Sequence, residues 1–201
     1  MPKITFYNLS IEKREKLINA VKQEFSRVPL SQASISNIVK SARIPRGSFY
    51  QYFEDKEDAF FYLLEERVKR NQSEVYFLLN KHNGDIFEMM IAFFEKVITE
   101  QDENRNFLKN LFLNMTYEVE HEFGRSFKGY ETNQQFIQFE SKVNKEILHI
   151  SNQEEFKYLM KILTSVLLRS IIETFSKDQS KEDALRNFKL EITLLKRGLK
   201  K

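Results

Sequence analysis

Apolar residues return at steps of three and four along most of the chain, and few stretches alternate with period two, so the sequence predicts an all-α fold. Ile11, Ile18, Val21 and Phe25 share one face of a first helix over residues 11–27, with Ser10 as its N-cap and Glu12 in its first turn. Pro29 ends it. Ser34 caps a second helix that turns Ile35, Ile38 and Val39 inward. Ile44 and Pro45 form a turn, and a short third helix covers residues 46–52. Asp55 then caps a fourth helix, through Phe60, Phe61, Leu64 and Val68 towards Leu79, long enough to serve as a strut.

His82-Asn83-Gly84 breaks the pattern, and Asp85 with Glu88 opens a helix over residues 86–99. Residues 101–106 read as a polar turn. Apolar residues resume from Phe107 to Tyr117, Gly124 and Gly129 interrupt them, and Phe136, Phe139, Val143 and Ile147 mark another helical face. Ser151 with Glu154 is a capping box for a helix over residues 152–175, apolar around most of its circumference and so buried on more than one side. Ser180 and Asp183 open a last helix with a seam of Leu185, Phe188, Ile192, Leu195 and Leu199, flanked by a second row from Leu190 and Leu194. Two adjacent helices with surplus apolar surface predict a partner.

The 201 residues suit a small head and a larger body, and 41% hydrophobic residues suffice for a core. With no Cys, disulfide and thiolate chemistry are excluded, which suits a reducing cytoplasmic setting. The opening MPKITFYNLSIEKREK lacks the apolar run of a signal peptide. The most apolar stretch, residues 162–172, is broken by Thr164, Ser165, Arg169 and Ser170, so no membrane span is expected. The net charge of +3 divides unevenly: residues 1–53 carry nine Lys or Arg against three acids, a surplus of +6, and the rest carries −3. A basic head on a mildly acidic body fits an N-terminal quarter that meets a polyanion.

Residues 34–57, SISNIVKSARIPRGSFYQYFEDKE, have the layout of a helix-turn-helix DNA reader, whose first helix crosses the phosphates and whose second enters the major groove. Arg46 can pair with guanine O6 and N7; Ser48 and Gln51 can add sequence choice. Gly47 removes a side chain where the backbone must approach the sugar–phosphate wall, and Tyr50 and Tyr52 offer hydroxyls to phosphate and rings to thymine methyls. Phe49 and Phe53 read as core. The segment resembles the DNA-binding head of the TetR family of bacterial repressors through Ile38-Val39, Ala42-Arg43-Ile44-Pro45, Gly47, Tyr50 to Phe53 and Lys56-Glu57. The resemblance covers about residues 10–61. It implies phosphate contacts from Tyr50, from Ser34 or Ser36, and from Lys56. Two departures stand out: Arg43 occupies a turn position where the family usually has Gly, often at positive φ, and Pro45 replaces the usual Ser or Thr cap. A phosphate contact from Arg43 would compensate.

The resemblance further implies a head at residues 1–60 and a helical effector-binding and dimerisation domain at 61–201, acting as a homodimer on a palindromic operator in double-stranded DNA. A small apolar effector would release the DNA. Phe87, Met90, Phe94, Phe107, Leu111, Phe112, Met115 and Phe136 could line its cavity or fill a core, the core being the better reading for any one of them. Leu163, Leu167, Ile171, Phe188, Ile192 and Leu195 are the expected dimer interface. No cofactor, metal or enzyme activity is expected. His82, His121 and His149 are far apart, Glu118-x-x-His121 lacks the second copy that a di-iron site needs, and no Gly-rich phosphate loop or nucleophile motif occurs. The rival reading is a helical ligand-binding or adaptor protein with a degenerate head, favoured by Arg43 and Pro45.

Overall fold

The computed structural model describes residues 1–100, 102–114, 116–124 and 134–199. Its helices are α1 (Ile4–Tyr7), α2 (Ile11–Arg27), α3 (Ile35–Ala42), α4 (Arg46–Tyr52), α5 (Lys56–Lys81), α6 (Ile86–Ile98), α7 (Asp102–Leu113), α8 (Tyr117–Gly124), α9 (Gln134–Lys142), α10 (Gln153–Ser176) and α11 (Lys181–Leu199). Among the described residues no β-strand forms, so the fold is all-α.

The chain divides into two compact units. The first comprises Met1–Arg67 and Gln101–Met115; the second comprises Val68–Glu100 and Thr116–Lys201. In the first, α2 buries Leu17, Ala20, Val21 and Phe25. Phe25 meets the edge of Phe60 at 5.2 Å, and Phe60 lies 6.2 Å from Phe107. The last carbonyls of α2 are satisfied from α7, where Asn110 Nδ2 donates to Phe25 O at 2.9 Å and to Ser26 O at 3.0 Å. Residues 102–106 are helical here, although their polarity predicts a turn. Only one face of α7 needs to be apolar, and Phe107, Leu108, Leu111 and Phe112 supply it.

In the second unit, α6 packs against α10 and α11, and Phe94 stacks on Phe188 with ring centroids 4.2 Å apart. Asp85 accepts N–H bonds from Phe87 and Glu88 at the start of α6, and Lys196 of α11 donates to Asp85 at 3.2 Å and to Glu88 at 3.0 Å. Burial would lower the Lys196 pKa, but the bonds to these two carboxylates outweigh it and raise it. Gly84 turns the chain with φ +78°, and a Cβ there would lie 2.7 Å from the backbone N of Asn144 and the backbone O of Lys142. The start of α10 is shifted by one residue from the Ser151/Glu154 box: Asn152 is the N-cap and accepts from Glu155 N at 2.9 Å, while Ser151 N donates to Glu155 Oε2 at 2.6 Å. No described helix is long and apolar enough to cross a membrane.

Candidate nucleic-acid interface

The interface is built on α3, α4 and the turn between them. α3 is held from below by Glu24 of α2. The Glu24 carboxylate is 4% exposed and receives two bonds from Arg27 at 2.9 and 2.8 Å, one from Ser34 N at 2.9 Å and one from Asn37 Nδ2 at 3.1 Å. Burial pushes its pKa up, but the bonds from Arg27, Ser34 and Asn37 together hold it below the ordinary value. Glu24 thus satisfies an N-terminal N–H of α3, where the Ser34 side chain makes no capping bond. A negative charge at that helix end is also favoured by the dipole. Ile38 and Ala42 bury the inner face of α3, while Ile35 and Val39 are half-buried.

Arg43 ends α3 in the left-handed region, with φ 55° and ψ 47°. Its N–H donates to Lys40 O at 3.3 Å, and the N–H of Ile44 reaches back to Val39 O at 3.1 Å, the hydrogen-bond pattern of a Schellman helix end. The turn therefore has the usual geometry despite the side chain, at the steric cost a non-glycine pays there. Pro45 precedes α4 with φ −60°, gives no side-chain cap, and accepts Ser48 N–H on its carbonyl at 3.0 Å.

α4 buries Phe49 and is followed by buried Phe53, and it leaves Arg46, Gly47, Tyr50 and Gln51 exposed, with Ser48 and Tyr52 half-buried. A Cβ at Gly47 would have nothing within 4 Å. Arg46 donates to Ser36 Oγ at 2.7 Å and to the Tyr50 hydroxyl at 3.4 Å, and its guanidinium lies 6.0 Å from the Tyr50 ring centre. Ser36, Arg46 and Tyr50 thus form one exposed cluster joining both helices of the motif. Arg43 is exposed as well. Lys56 stands apart: its ammonium donates to Ser31 O at 3.1 Å and Ala33 O at 3.2 Å, clamping the loop before α3. The sequence pattern does not show these supporting roles of Glu24 and Lys56: both bonds of Lys56 and one of the four that Glu24 receives involve backbone atoms, which leave no mark in a pattern of side chains, and the bond from Asn37 crosses to another helix.

The other expected site residues are placed as follows. Phe87, Met90 and Phe94 are buried in the second unit, and Phe107, Leu111 and Phe112 are buried in the first. Met115 and the side chain of Phe136 lie outside the described residues. Leu163, Leu167, Ile171, Phe188 and Ile192 are consumed in the second unit's own core, and Leu195 is half-buried. The large apolar residues that α10 and α11 leave exposed are Tyr158, Ile162, Leu190 and Leu194, the last two at 60% and 57%.

Residues 17–63 match the model of bacterial regulatory proteins of the tetR family, and residues 85–199 match the tetracyclin repressor-like C-terminal domain. The chain belongs to the TetR family. It is a helix-turn-helix, DNA-binding transcriptional regulator. The uncharacterized HTH-type transcriptional regulator YdgC of Bacillus subtilis (strain 168) is 31% identical over 108 residues, 52% of this chain and 55% of that protein. The HTH-type transcriptional repressor NemR of Escherichia coli (strain K12) is 25% identical over 87 residues, 43% of this chain and 44% of that protein. The matches thus span about half the length of these curated relatives. In three dimensions the chain resembles SmeT, repressor of the Stenotrophomonas maltophilia multidrug efflux pump SmeDEF, with TM-score 0.69 at 16% identity over 94% of this chain and 90% of that one.

Proposed function

We propose that this TetR-family regulator is a cytoplasmic homodimeric repressor that reads a palindromic operator through α4 of each head and leaves it when a small apolar effector binds. One observation carries the DNA reading: Ser36, Arg43, Arg46, Gly47, Tyr50 and Gln51 are all exposed on the helix-turn-helix, in a segment with a surplus of positive charge. Arg46 and Gln51, with Ser48, supply base contacts. Arg43, Tyr50, Tyr52, Ser34 or Ser36, and the N–H of Lys56 that its two carbonyl partners leave over, meet phosphates and set register. The head at residues 1–60 reads DNA, and residues 61–201 dimerise and bind the effector. Support for an apolar effector comes from the 19 Phe of the chain and from its likeness to SmeT, the repressor of a multidrug efflux pump.

The dimer face is the surface of α10 and α11 that carries Tyr158, Ile162, Leu190 and Leu194. These side chains belong to adjacent helices and remain exposed after the core is filled. Each is between 44% and 60% exposed, so burying it across a two-fold axis gains about half of the roughly 1.5–3 kcal/mol that full burial of a large apolar side chain is worth, before the cost of association.

The test is selection of binding sites from a random duplex library, followed by affinity measured across salt. A palindromic winner with a steep salt dependence supports the reading, and Arg46→Ala should then cost about 1–3 kcal/mol of affinity without loss of folding. Weak, sequence-blind binding at every salt concentration would overturn it.

A further inference from the structure

The first seven residues do something for α4 that no side chain of α4 does for itself. A helix leaves its last four carbonyls without intrahelical partners. In α4 the last i→i−4 bond runs from the N–H of Phe53 to Phe49 O at 2.9 Å, so the carbonyls of Tyr50, Gln51 and Tyr52 are left over. All three are taken by the N-terminal segment: Tyr50 O accepts Lys3 Nζ at 2.9 Å, Gln51 O accepts the Thr5 hydroxyl, and Tyr52 O accepts the backbone N–H of Lys3 at 2.8 Å. An ammonium at a helix C-terminus is also favoured by the dipole.

The segment is anchored where it makes these bonds. Phe6 is fully buried, with ring centres 5.2 Å from Phe53 and 5.1 Å from Tyr62. Arg14 of α2 holds the end of the short α1 turn, donating to Tyr7 O at 2.6 Å and to Leu9 O at 3.3 Å with its guanidinium 5.5 Å from the Phe6 ring. α4 itself is seven residues long, starts without a side-chain cap and contains a glycine. A helix that short is marginal alone.

We propose that residues 3–6 are a strap that fixes the C-terminal end of the recognition helix, with Lys3 and Thr5 acting as positioning residues for operator binding through the carbonyls of α4 and not through contact with DNA. The inference rests on the DNA-reading function proposed above and names what holds its reading element still. Base recognition needs side chains placed to within a fraction of an ångström, so a helix that frays at its last turn moves Tyr50 and Gln51 out of register.

Lys3→Met with Thr5→Val removes both side-chain donors and keeps the apolar bulk, and Thr5→Val alone is the milder variant should the double variant unfold. Two measurements decide. Amide hydrogen exchange of residues 49–53 should speed at least fivefold in the variant while α2 keeps its protection. Affinity for the selected operator should fall about tenfold, with the slope of log affinity against log salt unchanged, and Lys3→Arg with Thr5→Ser should restore it. Unchanged exchange in α4 overturns the strap, whether or not DNA binds. Unchanged operator affinity overturns the positioning role. A slope shallower by about one would make Lys3 a direct phosphate contact and overturn it equally. If the unaltered protein selects no operator, the DNA reading fails by itself, and the exchange result still decides the strap.

Discussion

Replacing Gly47 by Ala separates what α4 needs for folding from what it needs for DNA. The new methyl would meet no heavy atom within 4 Å, so it introduces no clash in the free protein. Gly costs a helix up to about 1 kcal/mol relative to Ala, through backbone entropy lost on folding and, at this early position, somewhat less. The free variant should therefore be more stable by roughly 0.5–1 kcal/mol, which for a protein of this size is a rise of about 1–4 °C in Tm. On the operator the balance reverses. If the backbone at position 47 lies against the sugar–phosphate wall, the methyl must push α4 outward and loosen the pairing of Arg46 and Gln51 with base edges. A loss of about ten- to a hundredfold in affinity follows, or about 1.4–2.7 kcal/mol. Thermal melting by circular dichroism reads the first effect, and titration of a fluorescent operator duplex reads the second. Unchanged or tighter DNA binding together with higher Tm would refute the placement of Gly47 at the DNA. A lower Tm would refute the stability argument.

Arg43→Gly should raise stability by about 1–2 kcal/mol by relieving the left-handed backbone, while operator affinity drops and its salt slope becomes shallower by about one, as for any lost phosphate contact; a competition assay at two salt concentrations checks both. Gly84→Ala combines a positive φ with a 2.7 Å approach to two backbone atoms that cannot swing away, so the second unit should lose more than about 2 kcal/mol in urea unfolding. Glu24 has a folded pKa below its unfolded one, so its contribution is in full above the ordinary value of 4.5 and is lost as pH falls through the depressed folded value. Melting from pH 6 down to pH 3 should show that loss, and Glu24→Gln should flatten the profile while costing about 1–3 kcal/mol at neutral pH.

Helices with one apolar face and a plain capping residue were legible in the sequence. α2 and α4 span the residues that their periodicity and punctuation predict, Ser10 caps α2, and Asp85 caps α6. Three kinds of feature were not legible. α1 is a single turn, too short to show a period, and its role is set by Phe6 reaching Phe53 and Tyr62 across the sequence. The polar start of α7 looks like a turn because burial on one face imposes nothing on the other. Lys56 acts on backbone C=O groups, which every residue carries alike, and Glu24 joins a backbone N–H and the Asn37 side chain of another helix, so residue type alone cannot say what they bind. The last two helices show a related limit. The strongest apolar seam predicts what is buried, not against what; the chain's own core takes Leu163, Phe188 and Ile192, and the surplus that remains exposed is the second row at Leu190 and Leu194.

The departures from local preference in this chain are not spread evenly, and their placement is itself informative. Among the described residues the non-glycine positive φ values belong to Arg43, Asn83 and Asp178. Asn and Asp tolerate that region because their short polar side chains can bond locally, whereas a long side chain such as Arg gains nothing there. Two and four residues further on stand a helix start without a side-chain cap, at Pro45, and a glycine inside a seven-residue helix. Each costs stability that Arg43→Gly, Pro45→Ser or Gly47→Ala would recover by ordinary chemistry. Around them the chain adds compensation from outside α3 and α4: Glu24 under α3, Lys56 clamping the loop before it, and Lys3 and Thr5 on the end of α4. The motif is locally suboptimal at positions 43, 45 and 47, and bonds from its neighbours hold it in place.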